Sequence, residues 1–172
     1  IQIGEVRTSA TMKSAVVFAE TGHLCLATLH ANNTYQALER VINLYPDDTR
    51  GHLYMDLSMN LHAIVSQRLI PQASGNGFVP AIEVMLNSPL ISDLILKGEI
   101  NEIRETIEKS TDEGMVTFDQ SIFDLYEKGM ITYEDAMRNA DSVNNLRLKI
   151  KLEGKVAKGK QDLGSTFEQV EF

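Results

Sequence analysis

The side chains most able to do chemistry lie in the first thirty residues. Glu5 follows the short apolar run Ile1-Gln2-Ile3-Gly4, and His30 follows the run Leu24-Cys25-Leu26-Ala27-Thr28-Leu29. A carboxylate at the end of an apolar strand, after a glycine that lets backbone or ligand approach closely, can orient an attacking water or help hold a metal-phosphate complex. A histidine at such an end can donate to a phosphate oxygen. Plainer readings stand beside these: Glu5 as a cap on the next helix, and His30 as a hydrogen-bonded structural residue. Arg7 and Arg40 could reach a phosphate or a neighbouring subunit's carboxylate, against the ordinary solvated arginine.

The two apolar runs bracket a helix, so the segment reads as strand, helix, strand. In an open parallel α/β sheet, ligands sit outside the carboxyl ends of the strands. Glu5 and His30 then share one sheet edge, and His23 lies at the other. Seven extended residues at about 3.3 Å each place His23 roughly 23 Å from His30, too far for one zinc ion. Ser9 is expected to cap a helix over 11–20 that Gly22 ends. The Leu24–Leu29 run is apolar enough for a strand covered on both faces, with Cys25 as a small buried hydrophobe.

Farther along, Asn32-Asn33-Thr34 caps a helix carrying Ala37, Leu38, Val41 and Ile42. Apolar spacing over 47–67 suits one long amphipathic helix, with His52 and His62 on it. Met55, Met59 and Leu61 are core or interface candidates. Extended runs at 68–73 and 78–86, joined by Ser74-Gly75-Asn76-Gly77, predict a β-hairpin. Beyond Asn87 the pattern is of short helices. Ser88-Pro89 opens one that Gly98 stops, 100–109 and 118–128 follow, Thr132 with Asp135 resembles a capping box, and a basic helix begins at Ser142.

The chain has 172 residues, a formal net charge of −8, and a single cysteine. The acidic balance argues against nucleic-acid binding. One cysteine cannot make an internal disulfide or a four-cysteine metal site. No run has the length of a membrane span, and none reads as a signal peptide, so a cytoplasmic setting is expected. Opening inside a strand makes the chain read as the carboxyl-terminal part of something longer.

Taken together these residues resemble a known family. Ile3-Gly4-Glu5-Val6-Arg7 is similar to the Walker B segment of secretion ATPases, and Ala19-Glu20-Thr21-Gly22-His23 through Thr28-Leu29-His30 to their His box. Ala63–Leu69 resembles the (I/L)xxQxL segment, and Ser88–Glu99 a helix of pilus retraction motors. The resemblance covers about residues 1–140 and points to the twitching-motility ATPases of type IV pili, the PilT/PilU family, nearer its PilU branch. Two positions depart from the pattern: Thr8 stands where Asp usually follows GExR, and Ala10 stands where Glu follows two positions later. No GxxxxGK(S/T) phosphate loop occurs in the sequence.

The resemblance implies an α/β fold, part of a RecA-like P-loop ATPase core over 1–87, with a helical subdomain over 88–153 and a polar basic tail over 154–172. It implies that the full protein is a homohexameric motor using ATP and Mg, without zinc. It also implies a place at the cytoplasmic face of the inner membrane beside a pilus platform protein, with a second retraction ATPase as a further partner. Glu5 would serve the metal-water site and act with His30 in catalysis. His23, Arg7 and Thr28 would lie near the nucleotide or the subunit interface. Without the phosphate loop, these 172 residues alone are expected not to hydrolyse ATP. The rival readings are a pilus assembly or type II secretion ATPase, whose usual paired CxxC motifs one cysteine cannot supply, and a non-catalytic helical interaction module.

Overall fold

Side-chain caps set the starts of the first two helices. Thr8, in extended conformation, accepts a hydrogen bond from the Thr11 amide at 3.2 Å and opens α1 (Ser9–Glu20). Ser9, the expected cap, is instead the first helical residue, because it is the Thr8 hydroxyl that reaches the third amide of the helix. Asn33 accepts from the Gln36 amide at 2.8 Å and opens α2 (Thr34–Ile42). The computed structural model describes residues 1–154. The tail expected over 154–172 therefore lies, beyond Gly154, outside the described residues.

The strands at either end of α1 are short. β1 (Gln2–Ile3) and β2 (Leu26–Ala27) pair in parallel, Gln2 opposite Leu26 and Ile3 opposite Ala27. The expected strand–helix–strand unit is present, but its second strand is not covered on both faces. Leu24 is 69% exposed and Leu26 60% exposed. Cys25 is half-buried rather than a core residue.

The single long helix expected over 47–67 is three elements. A 3₁₀ turn at Asp47–Thr49 leads into α3 (Arg50–Asn60), and β3 (Ala63–Pro71) begins three residues later. Leu61, Ile64 and Val65 fit helical spacing, yet Ile64 and Val65 are β-branched and pairing with β4 (Phe78–Leu86) draws them into a strand. His52 stays on α3, whereas His62 lies in the connection to β3. The hairpin forms with its second strand where expected, but its first strand is Ala63–Pro71 rather than 68–73. Gly75 and Gly77 take φ of 77° and 93° in its turn, values that suit glycine.

The remaining helices follow their local signals. α4 (Pro89–Lys97) starts at the Ser88 cap, and Gly98 ends it with φ of 73°. Then come α5 (Ile103–Lys109), α6 (Phe118–Glu127), α7 (Tyr133–Asn139) and α8 (Val143–Glu153). Thr132 caps α7 by accepting from the Asp135 amide at 3.1 Å while its hydroxyl meets the Asp135 carboxylate at 2.7 Å.

Packing divides the chain into two compact units, with the hairpin contributing residues to each. The first takes in residues 1–67 and 82–117. Its core joins Leu38 and Val41 of α2, Leu53 and Leu57 of α3, Met85 of β4, and Ile91 and Ile95 of α4. Within this unit Val116 pairs antiparallel with Val84 of β4, amide to carbonyl at 2.9 and 3.1 Å. The second takes in 68–81 and, among the described residues, 118–154. There Ile70 and Val79 of the hairpin pack with Phe118 and Ile122 of α6, Ala136 of α7, and Leu146 and Ile150 of α8. Met55 and Met59, candidates for core or interface, are 44% and 64% exposed, so they are not core residues of this chain. Leu61 is half-buried against the first core.

Candidate functional site

The carboxyl end of β1 and the loop after β2 meet through the backbone. The Val6 amide donates to the Thr28 carbonyl at 2.9 Å, just beyond the paired residues and one residue out of step with their register. The Thr28 hydroxyl donates to the Gly4 carbonyl. These bonds bring Glu5 and His30 to one edge. His30 Nε2 lies 3.2 Å from Glu5 Oε1, and Arg7 lies 2.5 Å from Glu5 Oε2. The Glu5 side chain is 20% exposed, while His30 and Arg7 project into solvent at 76% and 73%.

Charge at this edge favours an ionised carboxylate. The hydrogen bond from Arg7 holds the Glu5 carboxyl below its ordinary range, and the positive fields of Arg7, His30 and Arg40 act in the same direction. Partial burial opposes them. In return, Glu5 holds the Arg7 guanidinium protonated above its usual range.

Of the residues singled out in the sequence, Glu5, His30, Arg7 and Thr28 come together here. His23 does not. It sits at the amino end of β2, with Nδ1 3.1 Å from the Thr21 hydroxyl and its ring edge-on to Phe18 at 6.3 Å. Arg40, on α2, adds its field to Glu5. The sequence reading passed over Glu83, whose side chain is buried at 4% exposure. Its Oε1 accepts from both the amide and the hydroxyl of Thr34, each at 2.7 Å. The signal was available: in β4 the inward positions run Val79, Ala81, Glu83, Met85, and a carboxylate in such a series calls for a bonded partner.

A cavity of about 500 Å³ opens between α1, α2 and α3, with Val6, Val16, Thr28, Leu38 and Leu57 among its walls. Neither Glu5 nor His30 lines it, but Val6 and Thr28 do, so it borders the charged edge. Among the described residues, no group of three or more His, Cys, Asp or Glu is arranged to hold a metal ion. A single carboxylate is nevertheless what a magnesium-nucleotide site asks of a strand end, because Mg²⁺ keeps waters and phosphate oxygens as most of its ligands. No helix among the described residues is long and apolar enough to cross a membrane.

With this geometry in hand, comparison with known proteins is direct. The family model for type II/IV secretion system proteins matches residues 1–81. The chain is 59% identical over 152 residues to the type IV pilus ATPase PilU of Pseudomonas aeruginosa, covering 88% of this chain and 40% of that protein. It is 33% identical over 145 residues to the retraction ATPase PilT of the same organism, covering 84% of this chain and 42% of that one. The crystal structure of the pilus retraction motor PilT with bound ADP superposes with a TM-score of 0.77 at 32% identity, over 86% of this chain and 41% of that one. The ATPase DotB of Yersinia pseudotuberculosis gives 0.71 at 27% identity, over 81% of this chain and 36% of that one.

The fold is thus the α/β core with attached helices that secretion ATPases share. Within that class, the chain belongs to the PilT/PilU family of type IV pilus ATPases. It spans about 40% of the length of the relatives it matches.

Proposed function

We propose that these residues are the carboxyl-terminal part of a motor ATPase that drives type IV pilus retraction and twitching motility. In this reading 1–87 complete a RecA-like nucleotide-binding domain and 88–153 form its helical subdomain. One observation carries the reading: Glu5 and His30 stand 3.2 Å apart at the carboxyl edge of a parallel strand pair, the edge where α/β folds bind ligands. The phosphate loop, absent from residues 1–172, would come from the length of the relatives that this chain does not span.

Bound ATP with Mg²⁺ would supply the phosphoryl group and neutralise its charge. The residues of this chain have their own tasks. Glu5, kept ionised by Arg7, orients water at the strand end. His30 offers an imidazole N–H to developing negative charge. Arg7 and His30 each engage one Glu5 oxygen, and the second lone pair of each oxygen is left to accept from water. Thr28 ties the two strand ends together through Gly4. His23, at the far end of β2, suits a subunit contact better than a phosphate contact. The working form on this reading is a homohexameric ring at the cytoplasmic face of the inner membrane, engaging a pilus platform protein and a second retraction ATPase.

The test is Glu5→Ala in the full-length protein, measuring ATP turnover and ring assembly together. Turnover should fall to background while the ring persists. Unchanged turnover would remove Glu5 from the site and favour a non-catalytic module.

A further inference from the structure

His30 has little packing to hold it. Its side chain is 76% exposed, so its place beside Glu5 depends on the backbone that carries it from β2 to α2. One end of that connection is fixed at Thr28, by the Val6 amide and through the Gly4 carbonyl. The other end is Thr34, buried at 1% exposure as the first residue of α2.

Glu83 holds that end. Its carboxylate oxygen accepts from the Thr34 amide and hydroxyl, both at 2.7 Å. The amides of a helix's first turn lack partners within the helix. Asn33 satisfies that of Gln36, and Glu83 that of Thr34. A negative group at this end is also favoured by the helix dipole. Burying a carboxylate on the core face of a strand is costly without such bonds, so the arrangement fixes β4 and the start of α2 to each other.

We infer that Glu83 is a positioning residue for the Glu5–His30 edge, holding the connection that carries His30 by clamping Thr34. The inference rests on the nucleotide-site reading above. Glu83 acts on that edge through Thr34, at the far end of the 28–34 connection.

The experiment uses the full-length protein and steady-state ATP turnover. Glu83→Leu and Glu83→Gln are each measured alone and in a His30→Ala background, with Glu5→Ala alongside. Glu83→Leu should lower kcat about tenfold or more with KM for ATP within about twofold, because orientation at the reacting centre is what is lost. Glu83→Gln keeps an acceptor oxygen and should remain within about threefold of wild type. In the His30→Ala background Glu83→Leu should have no further effect. Wild-type kcat in Glu83→Leu, or the same fold loss in both backgrounds, would overturn the inference. Should Glu83→Leu fail to fold, Thr34→Val removes only the hydroxyl contact. It should cost about threefold in kcat with His30 present and nothing without it, and an equal loss in both backgrounds, or none, would overturn the inference. If Glu5→Ala is inactive while Glu83→Leu is normal, this inference alone falls. If Glu5→Ala turns over normally, the nucleotide-site reading falls and takes this inference with it.

Discussion

Replacing Arg68 with alanine should destabilise the second packing unit by about 2–4 kcal/mol, a figure built from three contacts. The guanidinium pairs with Asp141 at 2.6 Å, and the two side chains are only 22% and 16% exposed. That places the pair between a surface bridge, at about 0–1 kcal/mol, and a buried one whose breakage costs about 3–5. Arg68 also donates to the Asn139 carbonyl at 2.8 Å, a bond of about 1 kcal/mol. It lies 4.0 Å over the fully buried Phe118 ring, which adds about 0.5–1 kcal/mol. The assay is urea denaturation of Arg68→Ala, Asp141→Ala and the double variant. The two losses should overlap, with a coupling of about 1–2 kcal/mol, because each removes the same pair. Arg68→Lys should recover only part of the loss, since an ammonium cannot stack and fork as a guanidinium does. A loss under about 0.5 kcal/mol for Arg68→Ala, or strictly additive variants, would show that Arg68 does not hold this unit through Asp141.

Two further predictions concern the charged edge and a helix stop. Folding lowers the Glu5 pKa from its ordinary value near 4.5, so Glu5 contributes stability above that value and loses the contribution as pH falls through its lower native value. Arg7→Ala should move the native midpoint back toward 4.5, read from the Glu5 carboxyl carbon by NMR titration; an unmoved midpoint would show that Arg7 is not its main cause. Gly98→Ala should cost about 1–2 kcal/mol, the price of a side chain in the left-handed region, because Gly98 has φ of 73° and a Cβ there meets the Tyr54 ring at 3.2 Å. Denaturation midpoints check this, and a stabilised variant would contradict it.

Caps and stops were the most legible features of the sequence because their chemistry is local. Asn33, Ser88 and Thr132 act within three residues of themselves, and the structure places α2, α4 and α7 behind them. The run from Leu61 to Val65 was ambiguous for the opposite reason. Its spacing suits helix and strand alike, and the choice is made by β4, more than a dozen residues away. The exposure of Leu24 and Leu26 was equally hidden, since an apolar run states what it prefers and not what lies against it.

The charged edge was legible in part. Strand direction alone set Glu5 and His30 together and His23 apart, and the contacts follow that division. Thr8 departs from the family pattern, yet it takes the capping task its hydroxyl allows. Glu83 escaped notice because its partner, Thr34, is 49 residues away in sequence. Only the alternation of β4 hinted that its side chain turns inward.

The most direct measurement is a structure of the full-length protein with Mg²⁺ and a non-hydrolysable ATP analogue. The terminal phosphate should face the Glu5 carboxylate and the His30 imidazole, with His23 at the opposite end of β2. A nucleotide bound away from Glu5 and His30, or with His23 at the phosphate, would contradict it.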